Sequence, residues 1–320
     1  MRTLRFVTAD VFTSTPFTGN PLAVVFGAEG LPTDTLQAIT REFNYSETVF
    51  VFAPDDPGHT RRIRIFTPAC ELPFAGHPTI GCAHALVALG QVPMSGDEVT
   101  VVLGEGVGPV PVRVRIEGGK PVHAQLTTAM LPNERHDVPS INVLAQVLSL
   151  DAADFAPAMH PAGVSCGIPF LIIPLRTVDA VRRARVVTAA WQEHLSGAWA
   201  SEPMVFTMTS RDANQSDPTV PADQVHGCDV RARVFVPGLS VPEDPATGSA
   251  NACLAGYLAA RATDADVPRD GILRWEVAQG IEMGRPSRLS IEATKRNGGI
   301  ESVRVGGATV MVSEGTMTVR

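Results

Sequence analysis

A repeated stretch limits the folds that this sequence can adopt more than any other feature. Residues 231–252 read as a short apolar strand, a turn at Pro237 and Gly238, and an apolar helix. Residues 64–86 read in the same order. The alignment of the two stretches pairs Arg64, Phe66, Pro68, Pro73 and Gly81 with Arg233, Phe235, Pro237, Pro242 and Gly248. The repeat predicts an internal duplication, with a functional site between its two halves.

The chain is long enough to form two lobes. Its 320 residues exceed what a single hydrophobic core usually organises. The polar, proline-containing stretch 131–140 is the predicted boundary. We therefore expect an N-terminal lobe at 1–130, to which 300–320 is a candidate addition, and a C-terminal lobe at 131–299.

The order of the predicted elements indicates the fold class. Many short strands alternate with few helices, and the stretches 75–89 and 247–260 contain helices rich in alanine and leucine. Such helices are usually covered on several sides. We predict an α+β fold of two pseudo-symmetric lobes, each a mostly antiparallel or mixed sheet wrapped around a central helix. Residues 210–226 are polar and are predicted to be a loop.

Composition and charge exclude several classes of protein. The net charge of −7 and the pI near 5.6 argue against a nucleic-acid partner. No apolar run approaches the length of a transmembrane helix, and the first residues lack the regions of a signal peptide. Five scattered cysteines do not indicate a disulfide framework. We therefore expect a cytoplasmic protein that binds neither nucleic acid nor membrane.

Glu47 is the first candidate for a catalytic side chain. It lies where a predicted helix ends and the very apolar strand 48–52 begins. A carboxylate at the mouth of an apolar strand loses part of its hydration, which favours its protonated form and suits it to proton transfer. A loop acid or a helix cap is the alternative.

His77 and Asp244 are the next candidates. His77 follows Gly76 at the turn before the first helix, and an imidazole titrates near neutral pH, so it can donate to or accept from a ligand. Asp244 follows Glu243, and two neighbouring carboxylates make ionisation harder for each other. A satisfied structural histidine and a helix-capping aspartate are the alternatives.

A Thr-Gly-Ser sequence opens the second helix. Thr247, Gly248 and Ser249 would present free backbone N–H groups and two hydroxyls at the helix start. Because the N-terminus of a helix carries a partial positive charge, this sequence predicts a site for an anionic substrate group. Thr247 and Ser249 could equally cap the helix.

Other common catalytic motifs are absent. His77 and His84 lack the further ligands of a metal site, and Ser249 lacks the Gly-x-Ser-x-Gly context of a hydrolase. No dinucleotide-binding fingerprint follows a strand. The repeats do not match cysteine with cysteine, so Cys82 and Cys253 are predicted core residues. We therefore expect no metal site.

Five blocks of the sequence resemble the PhzF family of phenazine biosynthesis-like proteins, which are related in fold to diaminopimelate epimerase. They are Asp10-Val-Phe with Phe17-Thr-Gly-Asn-Pro-Leu-Ala-Val, Asn44-Tyr-Ser-Glu47-Thr, Phe66-Thr-Pro-x-x-Glu71-Leu-Pro-Phe-Ala-Gly-His77-Pro-Thr, Glu243-Asp244-Pro-Ala-Thr-Gly-Ser249-Ala, and Gln279-Gly-x-x-Met283-Gly-Arg-Pro-Ser. The blocks span almost the whole chain in order. The resemblance implies two similar lobes with the active site in the cleft between them.

The resemblance also implies a function and a set of site residues. It implies a homodimeric, cofactor-free isomerase that moves a proton on a small acidic or amino-acid-like substrate. The family's site residues fall on Glu47, which is the catalytic glutamate, on His77 with Gly76, and on Asp244 with Ser249. In this mechanism Glu47 carries the proton, while Asp244 and His77 position the substrate and balance charge. The cysteine pair of the epimerase relatives has no counterpart here, which favours a carboxylate shuttle.

Two other functions stay open at this point. A small-molecule binding protein without catalysis would keep the same cleft. An epimerase or lyase acting on an amino acid derivative would use the same proton abstraction. The joint presence of Glu47, His77 and Asp244 argues against the binding protein.

Overall fold

The computed structural model describes residues 1–209, 227–239, 241–262 and 270–319. These residues form an α+β fold in which mixed β-sheet predominates and helices are few, so the predicted fold class is confirmed at this level. The predicted loop at 210–226 lies outside the described residues. Contacts divide the chain into two compact units, Met1–Thr127 with Gly306–Arg320, and Thr128–Val305. In the described ranges, no helix is both long and apolar enough to cross a membrane.

The first unit is built on a mixed sheet. Its elements are β1 (Arg2–Val11), β2 (Asn20–Phe26), α1 (Thr33–Phe43), β3 (Glu47–Phe52), β4 (Arg61–Phe66), β5 (Glu71–Leu72), α2 (Gly76–Ala88), β6 (Glu98–Glu105), β7 (Gly108–Glu117), β8 (Lys120–Thr127) and β18 (Thr309–Val319). β1 is antiparallel to β2 and to β18, and β2 is parallel to β3. β4 is antiparallel to β3 and β5 and parallel to β6. β6, β7 and β8 then form an antiparallel meander.

The second unit has the same order of strand pairs. Its elements are β9 (Asn133–Arg135), α3 (Ile141–Leu148), β10 (Ala162–Ser165), β11 (Pro169–Pro174), α4 (Val178–Arg183), α5 (Thr188–His194), β12 (Pro203–Met208), β13 (Val230–Val236), β14 (Val241–Asp244), α6 (Gly248–Arg261), β15 (Gly271–Gln279), β16 (Ser287–Arg296) and β17 (Gly299–Gly307), with 3₁₀ turns at Ala152–Asp154, Pro237–Leu239 and Ile281–Met283. β10 is antiparallel to β9 and β11, and β11 is parallel to β12. β13 is antiparallel to β12 and β14 and parallel to β15, which is antiparallel to β16. The pairings of β10 to β16 thus match those of β1 to β7.

The helices α2 and α6 are buried along almost their whole length. Every residue of 76–87 and of 251–259 is buried. A helix that is apolar on all sides is stable only where packing covers all of them, as the composition of both helices predicts. α2 lies so close to the sheet that a Cβ atom at Gly81 would be 2.6 Å from side-chain atoms of Leu22 and Val11. Glycine is therefore the residue that fits this contact.

The predicted alignment of the repeats holds in the strands. Arg64 on β4 and Arg233 on β13 each place the guanidinium over the phenylalanine ring two residues later, at 5.1 and 4.8 Å from the ring centre. Each arginine also forms a bidentate pair with a glutamate on the next strand, Glu71 in the first unit and Glu243 in the second.

The same alignment is wrong at the helices. α2 begins at Gly76 and α6 at Gly248, so Gly76 rather than Gly81 corresponds to Gly248. The arginine and glutamate are seven residues apart in the first copy and ten apart in the second. The longer connection in the second copy shifts the register of everything that follows it.

Candidate active site

His77 is held at the start of α2 with little access to solvent. Its side chain is 5% exposed. The imidazole hydrogen-bonds to the backbone of Pro21 at the start of β2. Because proline has no backbone N–H, the ring N–H must donate to the Pro21 carbonyl oxygen. The other nitrogen, Nε2, makes no hydrogen bond and faces Glu47.

Glu47 and His77 form a carboxyl–imidazole pair. Glu47 is the first residue of β3, its side chain is 16% exposed, and its Oε2 lies 3.4 Å from His77 Nε2. Burial lowers the pKa of His77 to about 3, although the hydrogen bond to Pro21 acts in the opposite direction. The imidazole is therefore neutral near pH 7. A neutral imidazole can act as a hydrogen-bonding group, and the expectation that His77 balances the charge of a substrate stays a prediction.

The burial of His77 predicts a loss of stability in acid. An unfolded histidine has a pKa near 6.5, whereas the folded value is about 3. Between these values the unfolded chain binds more protons, so the free energy of unfolding falls as the pH falls through this window. His77→Asn, which can still donate to the Pro21 carbonyl, should flatten this part of the curve. Urea unfolding from pH 7 to pH 3 measures the effect. The exposed control His136→Asn should follow the wild-type curve.

The helices α2 and α6 both begin without a side-chain cap. Ala75 and Thr247 occupy their N-cap positions, and neither side chain accepts a hydrogen bond from the first turn. α1, α3 and α5 also lack a side-chain cap, whereas at the start of α4 Thr177 accepts from the Ala180 N–H. Backbone N–H groups at an uncapped helix start can bind an anion. Each of the two buried helices therefore offers donors to an anionic ligand group.

Gln279 is the centre of a hydrogen-bond network that shapes the turn before α6. Its fully buried side chain donates from Nε2 to the Asp244 carbonyl oxygen at 2.8 Å and to Thr247 Oγ1 at 3.1 Å. Its Oε1 accepts from Asn251 Nδ2 at 2.8 Å and from the Thr247 N–H at 3.3 Å. The Thr247 hydroxyl in turn donates to Asp244 Oδ2. The network fixes Asp244 relative to the start of α6.

Loss of the Gln279 amide should destabilise the protein and impair its reaction. Gln279→Leu leaves several buried polar atoms without partners, so we expect the free energy of unfolding to fall by about 2–3 kcal/mol. Because the Asp244 turn loosens, we also expect activity to fall in the fraction that stays folded. Urea unfolding and a rate measurement on the same sample check both effects. Gln192→Leu, on the exposed face of α5, is the matched control and should change stability by less than about 0.5 kcal/mol.

Glu243 and Asp244 are neighbours in sequence but do not form a carboxylate pair. They are consecutive residues of β14, where successive side chains point to opposite faces. Glu243 accepts two hydrogen bonds from Arg233, at 2.8 Å each. The Asp244 carboxylate accepts from Thr247 instead. The two neighbouring carboxylates therefore have different hydrogen-bond partners, and the expected effect of each on the ionisation of the other stays a prediction.

The site predicted from the sequence does not include Arg231, Arg233 or the hydrogen-bond network of Gln279. Arg231 and Arg233 are 1% and 3% exposed, and Arg231 forms a 2.6 Å pair with Glu282. Their signal is present in the sequence, because arginine at alternate positions of an otherwise apolar strand needs buried acceptors. Gln279 gives a weaker signal, since it occurs only within one of the family blocks.

The predicted site residues fall into two groups, one within each unit. Glu47, Gly76 and His77 form the group of the first unit, and Asp244, Thr247, Gly248 and Ser249 form the group of the second. All five cysteines are free thiols, and Cys82 and Cys253 are buried core residues, as predicted. Among the residues that the structure describes, no three His, Cys, Asp or Glu side chains are arranged to hold a metal ion.

A family model, two named relatives and a solved structure all match nearly the whole chain. The PhzC-PhzF family model, described as phenazine biosynthesis-like protein, matches residues 9–315. An uncharacterized isomerase of Mesorhizobium japonicum is 39% identical over 99% of this chain and 99% of its own length. The trans-2,3-dihydro-3-hydroxyanthranilate isomerase of Pseudomonas aeruginosa is 32% identical over 97% of this chain and 98% of its own. The solved structure of a predicted epimerase from Pseudomonas aeruginosa is 30% identical, with a TM-score of 0.74 over 99% of each chain.

Proposed function

This chain belongs to the PhzC-PhzF family of phenazine biosynthesis-like proteins, and we propose that it is an isomerase that moves a proton on a small carboxylate substrate. The family resemblance of the sequence is confirmed over residues 9–315. The two relatives are named isomerases, one of them for trans-2,3-dihydro-3-hydroxyanthranilate. These names support the same class of reaction, and that compound is the first substrate to test.

One observation carries the proposal, the 3.4 Å approach of Glu47 Oε2 to the neutral imidazole of His77. Glu47 takes a proton from an activated carbon of the substrate and returns it to another carbon, so the double bonds shift and no atom is lost or gained. His77 Nε2 accepts a hydrogen bond from the protonated form of Glu47 and orients it. Such a proton transfer needs neither a metal nor a redox cofactor.

Further residues bind the substrate in this proposal. The uncapped N–H groups at Gly76 and at Gly248 with Ser249 bind its carboxylate and a second polar group. Asp244, held by Thr247, positions the substrate relative to the carbon that loses its proton. We assign these groups and Glu47 to a single reaction, and a proton NMR time course with substrate tests it.

We also infer that the two units are copies of one ancestral unit, each a sheet wrapped around its buried helix. The matching strand pairs and the Arg–Glu pairs on β4 and β13 support the duplication. In the corrected alignment, Leu72 corresponds to Asp244 and His77 to Ser249. The copies have thus diverged to carry different groups. The lobe limits, a homodimer and a cytoplasmic location stay predictions.

A proton NMR time course in D2O with trans-2,3-dihydro-3-hydroxyanthranilate tests the function. Conversion with deuterium entering the ring supports an isomerase, because a carboxyl group exchanges its proton with solvent between the two steps. Exchange of a substrate C–H without a shift of the double bonds would instead indicate an epimerase, the activity named for the Pseudomonas structure. Neither change, together with a ligand-dependent rise in Tm, would indicate a binding protein.

A further inference from the structure

Glu105 is a partly buried carboxyl group that the proposed mechanism does not use. It is the last residue of β6, and its Oε2 is shielded from solvent and has no hydrogen-bond partner. Its Oε1 lies 2.8 Å from the hydroxyl oxygen of Thr79, in the first turn of α2. Burial of an ionised carboxylate without a cation is costly. The surroundings of Glu105 therefore favour the neutral acid.

The number of protons that Thr79 can donate indicates independently that Glu105 is neutral. Thr79 Oγ1 lies 2.7 Å from the Ala75 carbonyl oxygen and 2.8 Å from Glu105 Oε1. A hydroxyl group has one proton to donate, and a carbonyl oxygen can only accept. When Thr79 donates to Ala75, the other hydrogen bond forms only if Glu105 is the donor. Both bonds can exist together only when the carboxyl group is protonated.

We propose that Glu105 is a positioning residue, which as a neutral acid donates to Thr79 and so lets Thr79 hold Ala75 at the start of α2. Ala75 directly precedes Gly76 and His77, so these two bonds, together with the 3.2 Å backbone bond from the Thr79 N–H to the Ala75 carbonyl oxygen, help to position the imidazole and the first helical N–H groups. The catalytic part of this role rests on the function proposed above. Desolvation raises the pKa of Glu105 to about 8.

The charged groups near Glu105 are engaged with other partners. Glu105 lines a cavity of about 540 Å³ in the first unit. The other titratable residues of that cavity are Asp55, His59, Arg62, Arg64 and Glu71. Each arginine of this set lies against an acid of the same set. Arg61 on β4 donates to the Thr60 carbonyl oxygen, and burial raises the pKa of the Cys82 thiol on α2. Neither arginine of the cavity is thus paired with Glu105.

Ionisation of Glu105 should redirect the Thr79 proton. The carboxylate can only accept, and a charged acceptor attracts the hydroxyl proton more strongly than the Ala75 carbonyl does. The side-chain bond to Ala75 is then lost, and only the 3.2 Å backbone bond from the Thr79 N–H still holds the Ala75 carbonyl oxygen, so the turn that carries His77 loosens. We expect kcat/KM to fall as the pH rises through about 8, by roughly tenfold per pH unit once the neutral acid is the minor form.

Glu105→Gln tests this role, because the amide can donate to Thr79 at every pH. The variant should lack the fall in kcat/KM near pH 8 that the wild type shows. Glu98→Gln removes an exposed acid of the same strand and, as the charge-matched control, should keep the wild-type profile. Thr79→Val should lower kcat at every pH, and Thr79→Ser, which retains the hydroxyl, should preserve it.

A measurement without substrate separates this proposal from the proposed function. With ¹³C-labelled glutamate carboxyl groups, the signal that is missing from Glu105→Gln belongs to Glu105 and should titrate near pH 8. The ring signals of His77 should move with the same midpoint in the wild type and not in Glu105→Gln. The proposal fails if Glu105 is ionised at pH 6, or if the His77 signals do not shift when Glu105 titrates. Either result would overturn it even if the protein is an active isomerase. The expected titrations would support the positioning role even if no substrate were turned over.

Discussion

Replacing Glu47 with glutamine is expected to lower kcat by roughly 10²–10⁴-fold, the range for loss of a general acid–base group. The amide has the shape of the carboxylate and can still face His77 Nε2, which lies 3.4 Å from Glu47 Oε2 in the wild type. It cannot take a proton from carbon. Substrate binding should change little, and the free energy of unfolding should stay within about 1 kcal/mol of the wild-type value. The NMR time course in D2O measures conversion and deuterium uptake together.

Two further variants make the Glu47 result specific. Glu42→Gln removes an exposed carboxylate near the end of α1 and should retain wild-type activity. Glu47→Asp keeps an acid but withdraws it from the substrate by one methylene, so we expect an intermediate rate. Wild-type turnover by Glu47→Gln would show that another group carries the proton, and the proposed mechanism would then fail.

Arg233→Met should lower the free energy of unfolding by about 3–5 kcal/mol, the usual cost of breaking a buried ion pair by removing one partner. Arg233 is 3% exposed and donates to both carboxylate oxygens of Glu243 at 2.8 Å. Its Nη1 also donates to backbone carbonyl groups at the end of α4. Methionine fills much of the space but leaves the Glu243 carboxylate, which is 14% exposed, without its cation. Urea unfolding followed by circular dichroism measures the loss.

The first unit provides the matched control for Arg233. Arg64 makes the same bidentate pair with Glu71, but these side chains are 23% and 38% exposed. Water can replace the lost partner there, so Arg64→Met should cost no more than about 1 kcal/mol. The double variant Arg233→Met/Glu243→Leu leaves no orphaned carboxylate and should be more stable than Arg233→Met alone. Equal losses in Arg64→Met and Arg233→Met would show that burial does not decide the energy of these pairs.

The parts of the fold that depend on short stretches of sequence could be predicted. The apolar composition of 75–89 and 247–260 placed the two buried helices, because a helix without a polar face must be covered on all sides. The repeat could be found from its strands, where arginine and phenylalanine keep a fixed spacing. Its register at the helices is also present in the sequence, because the spacing Glu-x-Pro-x-x-Gly occurs at 71–76 and again at 243–248. The predicted pairing of Pro73 with Pro242 missed it, and the Arg64–Glu71 and Arg233–Glu243 pairs show the correct register in the structure.

The motifs located the candidate site residues but not their chemical state. His77 is neutral because residues distant in sequence exclude water from its ring. Glu243 stands beside Asp244 in the sequence, yet its partner is Arg233 on another strand. The buried amide of Gln279 lies on β15 and acts on the turn before α6. Each of these properties follows from packing between elements, and no single stretch of sequence contains it.

β1 pairs with β18 along its whole length, from Arg2 opposite Val319 to Val11 opposite Thr309. A ribosome makes β1 before β18, with all of 128–305 between them. The second unit is continuous in sequence, so its sheet can close while translation continues, whereas β1 must wait for its distant partner. An unpaired strand edge is a template for association with other chains. β1 is thus made before the second unit but completed after it, and a nascent chain that stalls before β18 would expose an open edge on β1.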